Sequence, residues 1–210
     1  DIILVSARLA APKRSAERLG CFREGARTDM PDTLNPTEVP GLAAAIDAHG
    51  RPVERLVEYE VSKESLLYWQ KVAQSRPGEV VLVLRRCNGR YLVHTKEFYP
   101  QGTYRLMTGG IEPGEDLLQA LQREVREETG LQVSVERFLA IIHHRFRHVE
   151  QTVPFASHIF LIREHETPRS DPSPCDGDEQ ISGFRETDLD GLLELAQQLE
   201  ALPEQWRDWG

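Results

Sequence analysis

Three glutamates, Glu124, Glu127 and Glu128, are the residues of this 210-residue sequence whose spacing most directly implies chemistry. They stand at i, i+3 and i+4, so on a helix they project from one face. Like charges in that arrangement cost roughly a few tenths of a kcal/mol each when exposed, and more when buried. Leu117, Ala120 and Leu121 lie on the same side one or two turns earlier, so the acids continue an apolar stripe at the edge of a core. A divalent cation would relieve the repulsion. An all-oxygen donor set suits Mg²⁺ or Mn²⁺, and Mg²⁺ keeps waters and recruits phosphates. For the glutamates taken alone, a solvated acidic helix face is the competing reading.

The surrounding residues predict the elements that would position these acids. Residues 116–129 read as a helix, with Asp116 as its cap, Gln119 in capping-box position and Gly130 where a left-handed residue would end it. Residues 104–107 read as a short strand leading into Gly109 and Gly110. Upstream, residues 80–84 form a buried-strand run, and residues 90–94 a second strand across an Asn88-Gly89 hairpin turn. Downstream, residues 132–146, 152–163 and 180–185 read as strands and 187–201 as a closing helix. Mixed strands flanked by helices imply an α/β sandwich of layers.

Two breaks rich in turn formers divide the chain, at residues 75–78 and 167–178. Ahead of the first, residues 2–9 read as a strand and 11–36 as irregular. Residues 37–48 read as a helix with Thr37 as N-cap and Gly50 past its end, 54–61 as a strand, and 63–74 as an amphipathic helix capped by Ser62. Residues 1–75 are therefore expected to form an N-terminal extension or small domain, and residues 76–210 the main domain.

The net charge of −9 argues against nonspecific DNA or RNA binding. No apolar run reaches the roughly 18–20 residues of a membrane span. Cys21, Cys87 and Cys175 are too scattered for a zinc ribbon or disulfide framework, which points to reduced thiols and a cytoplasmic setting. The opening apolar run is short and lacks a basic flank, unlike a signal peptide. The sequence begins with Asp1 instead of Met, so further residues are expected ahead of it.

From Gly109 to Leu131 the sequence resembles the Nudix hydrolases. It fits the signature Gx5Ex7REUxEExGU at every fixed position, with Gly109, Glu115, Arg123, Glu124, Val125, Glu127, Glu128, Gly130 and Leu131 in place. The resemblance extends over about residues 79–202. It implies a Nudix-type α/β/α sandwich with a mixed sheet, and a loop-helix-loop that holds metal against a pyrophosphate. Glu124 and Glu128 match the family's most regular metal ligands. Glu127 matches a ligand or water-activating position, and Arg123 the arginine that orients these carboxylates. Glu115 resembles a structural acid, and Glu112 is either near the metals or a loop surface acid. Where many relatives read Pro-Gly, this chain has Met107-Thr108. Thr108 is expected to offer its carbonyl to metal, with less freedom at positive φ than glycine.

The family commonly adds one more acid from a later loop. Glu179 is favoured here by its position after the proline-rich loop, with Glu150, Glu164 and Glu166 as competitors. Arg85, Arg86, Lys96 and Arg105 flank the box and are candidate phosphate clamps, Arg105 first by proximity. The run His143, His144, Arg145, Phe146, Arg147, His148 either meets a base or phosphate, or simply alternates between core and solvent. Trp69 reads as core packing.

The reading that follows is a Mg²⁺-dependent hydrolase, with Mn²⁺ as the alternative ion. It cleaves a pyrophosphate in a nucleoside diphosphate linked to a group X, using Glu127, Glu128 and Glu179, with Arg105 and Arg86 on the substrate. The alternative is a Nudix-like sensor that binds a nucleotide derivative without cleaving it. Family cues for ADP-ribose, diadenosine polyphosphate, coenzyme A and zinc-bearing NADH subtypes are not found. As an interface, residues 54–75 are the favoured segment for a homodimer.

Overall fold

Residues 80–84 are apolar on both strand faces, as a strand covered on both sides must be. In the computed structural model, which describes residues 39–165, 171–174 and 180–202, they form the buried strand β2 (Glu79–Arg85) inside a seven-stranded mixed sheet. The elements in chain order are α1 (Leu42–His49), β1 (Val53–Glu60), α2 (Lys63–Ser75), β2, β3 (Tyr91–Lys96), β4 (Met107–Gly110), α3 (Leu117–Thr129), β5 (Val133–His148), β6 (Gln151–Glu164), β7 (Ile181–Thr187) and α4 (Leu189–Ala201). The sheet order is β1-β5-β6-β2-β3-β7, and β4 pairs with β2.

Strand β2 runs parallel to β6 on one side. On the other it splits its edge: β3 pairs at Leu84 and Arg85, and β4 pairs from Glu79 to Leu82. The split brings the two box glycines into the sheet beside the start of β2. Gly89 closes the β2–β3 turn with φ 84° and donates its N–H to the Arg86 carbonyl at 2.9 Å.

Helices cover both faces. Helices α1 and α3 pack with Val80, Leu82, Leu84, Phe160 and Ile162. On the other face α4 covers Val81, Val83, Ile142 and Ile159, while α2 covers Tyr59, Phe146 and Phe155. The α/β/α layering expected from the sequence is present. Among the described residues no helix is long and apolar enough to cross a membrane.

Residues 39–75 share this core. Strand β1 pairs in parallel with β5 from Val53 to Glu60, and Trp69 of α2 stacks on Phe146 with ring centroids 4.0 Å apart. The helix expected over 37–48 begins only at Leu42. Pro40 precedes it, Gly41 turns the chain with φ 78°, and no side chain caps it; Thr37 lies outside the described residues. Pro40 instead serves the box helix, its carbonyl accepting from Leu117 N–H at 2.9 Å. The strand expected over 104–107 lies at Met107–Gly110, because backbone pairing with β2 recruits glycines that strand propensity disfavours.

Because Trp69 bridges α2 to β5 and β6, Trp69→Ala should lower the stability of the whole domain by about 3–5 kcal/mol in urea unfolding. An unchanged main transition would mean that residues 53–75 melt as a separate unit.

Candidate active site

The loop between β4 and α3 is shaped by Pro113-Gly114. Gly114 takes φ 83°, and Glu115 N–H bonds back to the Glu112 carbonyl at 3.0 Å, the pattern of a proline-glycine turn. Asp116 then caps α3 by accepting from Leu118 N–H at 2.9 Å and Gln119 N–H at 3.4 Å. Gly130 ends the helix with φ 66°. These local signals fix the start, end and rotation of the helix that carries the acids.

Arg123 gathers the loop and the helix together. Its Nε and Nη2 donate to the two Glu115 oxygens at 2.8 and 2.9 Å. Its Nη1 donates to Glu124 at 2.7 Å and to Glu127 at 3.0 Å, and Nη2 also reaches the Gly110 carbonyl at 2.8 Å. One guanidinium thus holds three carboxylates and a box carbonyl with charge-assisted bonds. The bond to Glu115, working against burial and helped by Glu124 and Glu127, pushes the Arg123 pKa upward. Reciprocally, the Arg123 bond, against burial, holds the Glu115 carboxyl below its ordinary range. The second oxygen of Glu115 also accepts Glu112 N–H at 2.9 Å.

Glu124 and Glu128 are buried, the latter at 0% exposure, whereas the Glu127 side chain is 30% exposed. Glu124 lies directly over Gly109, where any Cβ would fall within its carboxylate. Neither Gly109 nor Thr108 has a positive φ, so close approach, not backbone freedom, explains glycine at 109. Thr108 is half-buried in β4 opposite Val81.

The other expected residues are distributed as follows. Arg105 is nearly buried beside β3, exchanges backbone bonds with His94 at 2.9 and 3.0 Å, and stands 5.3 Å from the Tyr99 ring. Arg86 lies at the far end of β2 from Gly109, where it donates to Glu164 at 2.7 Å in a buried pair. Burial works to raise the Glu164 carboxyl, but bonds from Arg86 and Cys87 N–H leave it lowered. Arg85 holds Glu136 at 2.6 Å. Glu179 and Glu166 lie outside the described residues, and Glu150 is exposed in the turn between β5 and β6. In the basic run, His144 and Phe146 face the core under α2, while Arg145 pairs with Glu58 at 3.2 Å.

A family model described as the NUDIX domain matches residues 75–209. The chain belongs to the NUDIX family. Nudix hydrolase 19, chloroplastic, of Arabidopsis thaliana is 40% identical over 57 residues, covering 27% of this chain and 13% of that protein. The NAD(P)H pyrophosphatase NUDT13, mitochondrial, of Homo sapiens is 25% identical over 176 residues, covering 78% of this chain and 46% of that one. A solved Ap4A hydrolase from C. elegans, in a binary complex, is 20% identical, with 62% of this chain and 90% of that one covered at a TM-score of 0.43. The chain thus spans less than half the length of the two named relatives.

Nudix hydrolases generally use divalent metal ions. Among the described residues, no three carboxylate, imidazole or thiolate groups are already gathered around one point; Arg123 holds the box acids instead. The donor chemistry nonetheless fits a hard cation. Glu124, Glu127 and Glu128 offer only oxygen from neighbouring turns of one helix, and the glycine at 109 leaves the Glu124 carboxylate against the box backbone.

A depressed carboxylate pKa stabilises the fold fully above the ordinary value, and that contribution is lost as pH falls through the depressed one. Glu115→Gln should therefore lower the urea midpoint at pH 7, and its gap from the parent should narrow as pH falls below about 4.5. A gap that stays constant with pH would remove Glu115 from the ionic clamp.

Proposed function

We propose that this Nudix chain is a Mg²⁺-dependent pyrophosphohydrolase that acts on a nucleoside diphosphate linked to a second group, with Mn²⁺ able to replace Mg²⁺. The observation that carries this reading is the single arginine, Arg123, holding Glu115, Glu124, Glu127 and the Gly110 carbonyl beside the buried Glu128. Like charges are otherwise unfavourable so near a core, and nothing about folding alone requires this many acids on one helix face.

Glu124 and Glu128 would hold the cation, with the Thr108 carbonyl as a further donor. When bound, it supplies charge neutralisation at the pyrophosphate oxygens and activation of water. Glu127 is the most solvent-accessible of the three and takes the proton of the attacking water. Its bond to Arg123 keeps the carboxylate aimed, and Arg123 itself stays with the protein, bound to Glu115. Glu179, which follows the proline-rich loop, remains the proposed late acid.

The name of the human relative, NAD(P)H pyrophosphatase, supports placing dinucleotides first among the substrates to test. The protein would be incubated with Mg²⁺ and NADH, ADP-ribose, sugar nucleotides, dinucleoside polyphosphates and nucleoside triphosphates, beside Glu128→Gln. The expected result is one compound cleaved to phosphate monoesters or mononucleotides. In Glu128→Gln, turnover should fall by about 10²–10⁴-fold, with circular dichroism unchanged. Full activity in Glu128→Gln would overturn the residue assignment. Binding without product would favour the sensor reading.

A further inference from the structure

The face of β4 opposite Glu124 holds a second ionic arrangement that the box does not include. Gly110 is paired with Glu79, and a Cβ at Gly110 would meet Arg76 Cδ at 2.7 Å and Nη1 at 2.8 Å. The glycine therefore makes room for an arginine, just as Gly109 makes room for Glu124 on the other face. Arg76 caps the end of α2, its N–H bonded to the Val72 carbonyl at 3.0 Å. Pro77 follows and favours the extended conformation that Arg76 adopts.

The arginine is steered but only loosely paired. Its guanidinium stands 5.7 Å from the Phe155 ring centroid, and its Nη2 is 3.8 Å from Glu79 Oε2. The buried Nε has no hydrogen-bond partner among the described residues, while the side chain as a whole is 27% exposed. Arg85, Arg86 and Arg123 differ: each donates to a carboxylate at 2.6–2.8 Å. Glu115, Glu124 and Glu127 lie across the same short strand and occupy Arg123, so an anionic substrate that reaches this strand needs a cation not already bound to those acids.

Glu79 is itself held from behind by a row of buried polar groups across the sheet. Ser157 Oγ donates to Glu79 Oε1 at 2.6 Å. That direction leaves Ser157 to accept from His144 Nε2 at 2.9 Å, and His144 Nδ1 to accept from the Tyr59 hydroxyl at 3.3 Å. Burial, with His143 nearby, lowers the His144 pKa to about 3, so the ring is neutral and can play both parts. Every donor in the row points toward Glu79. Burial raises the Glu79 carboxyl, and Arg76 and Ser157 oppose that rise. The row lies between the apolar clusters under α2 and α4, where unsatisfied groups would be costly.

We propose that Arg76 is a substrate-binding residue, which takes an anionic phosphate oxygen beside the box glycines, and that Glu79 is the positioning residue that holds it there. This inference rests on the hydrolase reading. A truncated charge-assisted hydrogen bond made equally to substrate and transition state raises KM and leaves kcat in place.

The test uses the full chain and the compound that the parent cleaves. Arg76→Ala should raise KM by about 10–100-fold with kcat changed by less than about threefold. Arg76→Lys should recover part of that loss, and Glu79→Gln should raise KM several-fold at unchanged kcat. Calorimetry of the parent protein with Mg²⁺ and α,β-methylene-ADP, whose bridge cannot be hydrolysed, should show the same weakening when Arg76→Ala is introduced. If the parent cleaves its substrate and Arg76→Ala leaves both KM and the calorimetric affinity unchanged, the Arg76 assignment alone fails. A fall in kcat with KM constant would also overturn it. If the parent neither cleaves nor binds any compound, the hydrolase reading fails and takes this assignment with it.

Discussion

The bonds made by Arg123 are the interaction on which the site depends. Without a cation beside them, Glu124, Glu127 and Glu128 would repel one another at the margin of an apolar core. Arg123 answers two of the three directly and fixes Glu115 and the Gly110 carbonyl with the same planar group. A lysine carries the charge but not the fork of donors, so it could not hold four acceptors in this geometry. The clamp also joins loop to helix: Glu115 belongs to the turn after Pro113-Gly114, and Arg123 to the second turn of α3.

Two adjacent glycines carry the second constraint. Gly109 and Gly110 lie in a strand, with side-chain directions toward opposite faces of the sheet. Glu124 occupies the space on one face and Arg76 the space on the other. An acidic helix and the arginine that follows α2 therefore approach the same short strand from both sides. That arrangement requires β4 at the edge that β2 leaves open where β3 turns away. The polar row from Tyr59 to Glu79 extends this order across β1, β5, β6 and β2, so the region ahead of the box is tied to it through the sheet.

The sequence made the box helix legible because its determinants are local. Asp116, Gly130 and the 3–4 spacing of the glutamates act within a few residues of one another, and the observed cap and helix end match them. The Asn88-Gly89 turn and the buried run of β2 were legible for the same reason. The long-range pairings were not. Arg86 meets Glu164 and Ser157 meets Glu79 across 78 residues of chain, and no periodicity reports such a partner. Likewise, the place of β1 beside β5 is set by packing of Tyr59 with Trp69 and Phe146, partners that lie outside residues 53–60. The start of α1 shows the other kind of miss: the cap expected at Thr37 competes with Pro40 and Gly41, which set the chain direction closer to the helix.

The central claim is that the acidic face of α3 is a cation site. Mn²⁺ titration followed by electron paramagnetic resonance tests it without any assumption about substrate. The free-ion signal should be depleted by the parent protein and should persist in the double variant Glu124→Gln, Glu128→Gln, with both proteins equally folded by circular dichroism. Equal uptake of Mn²⁺ by the two, or none by the parent, would contradict the account.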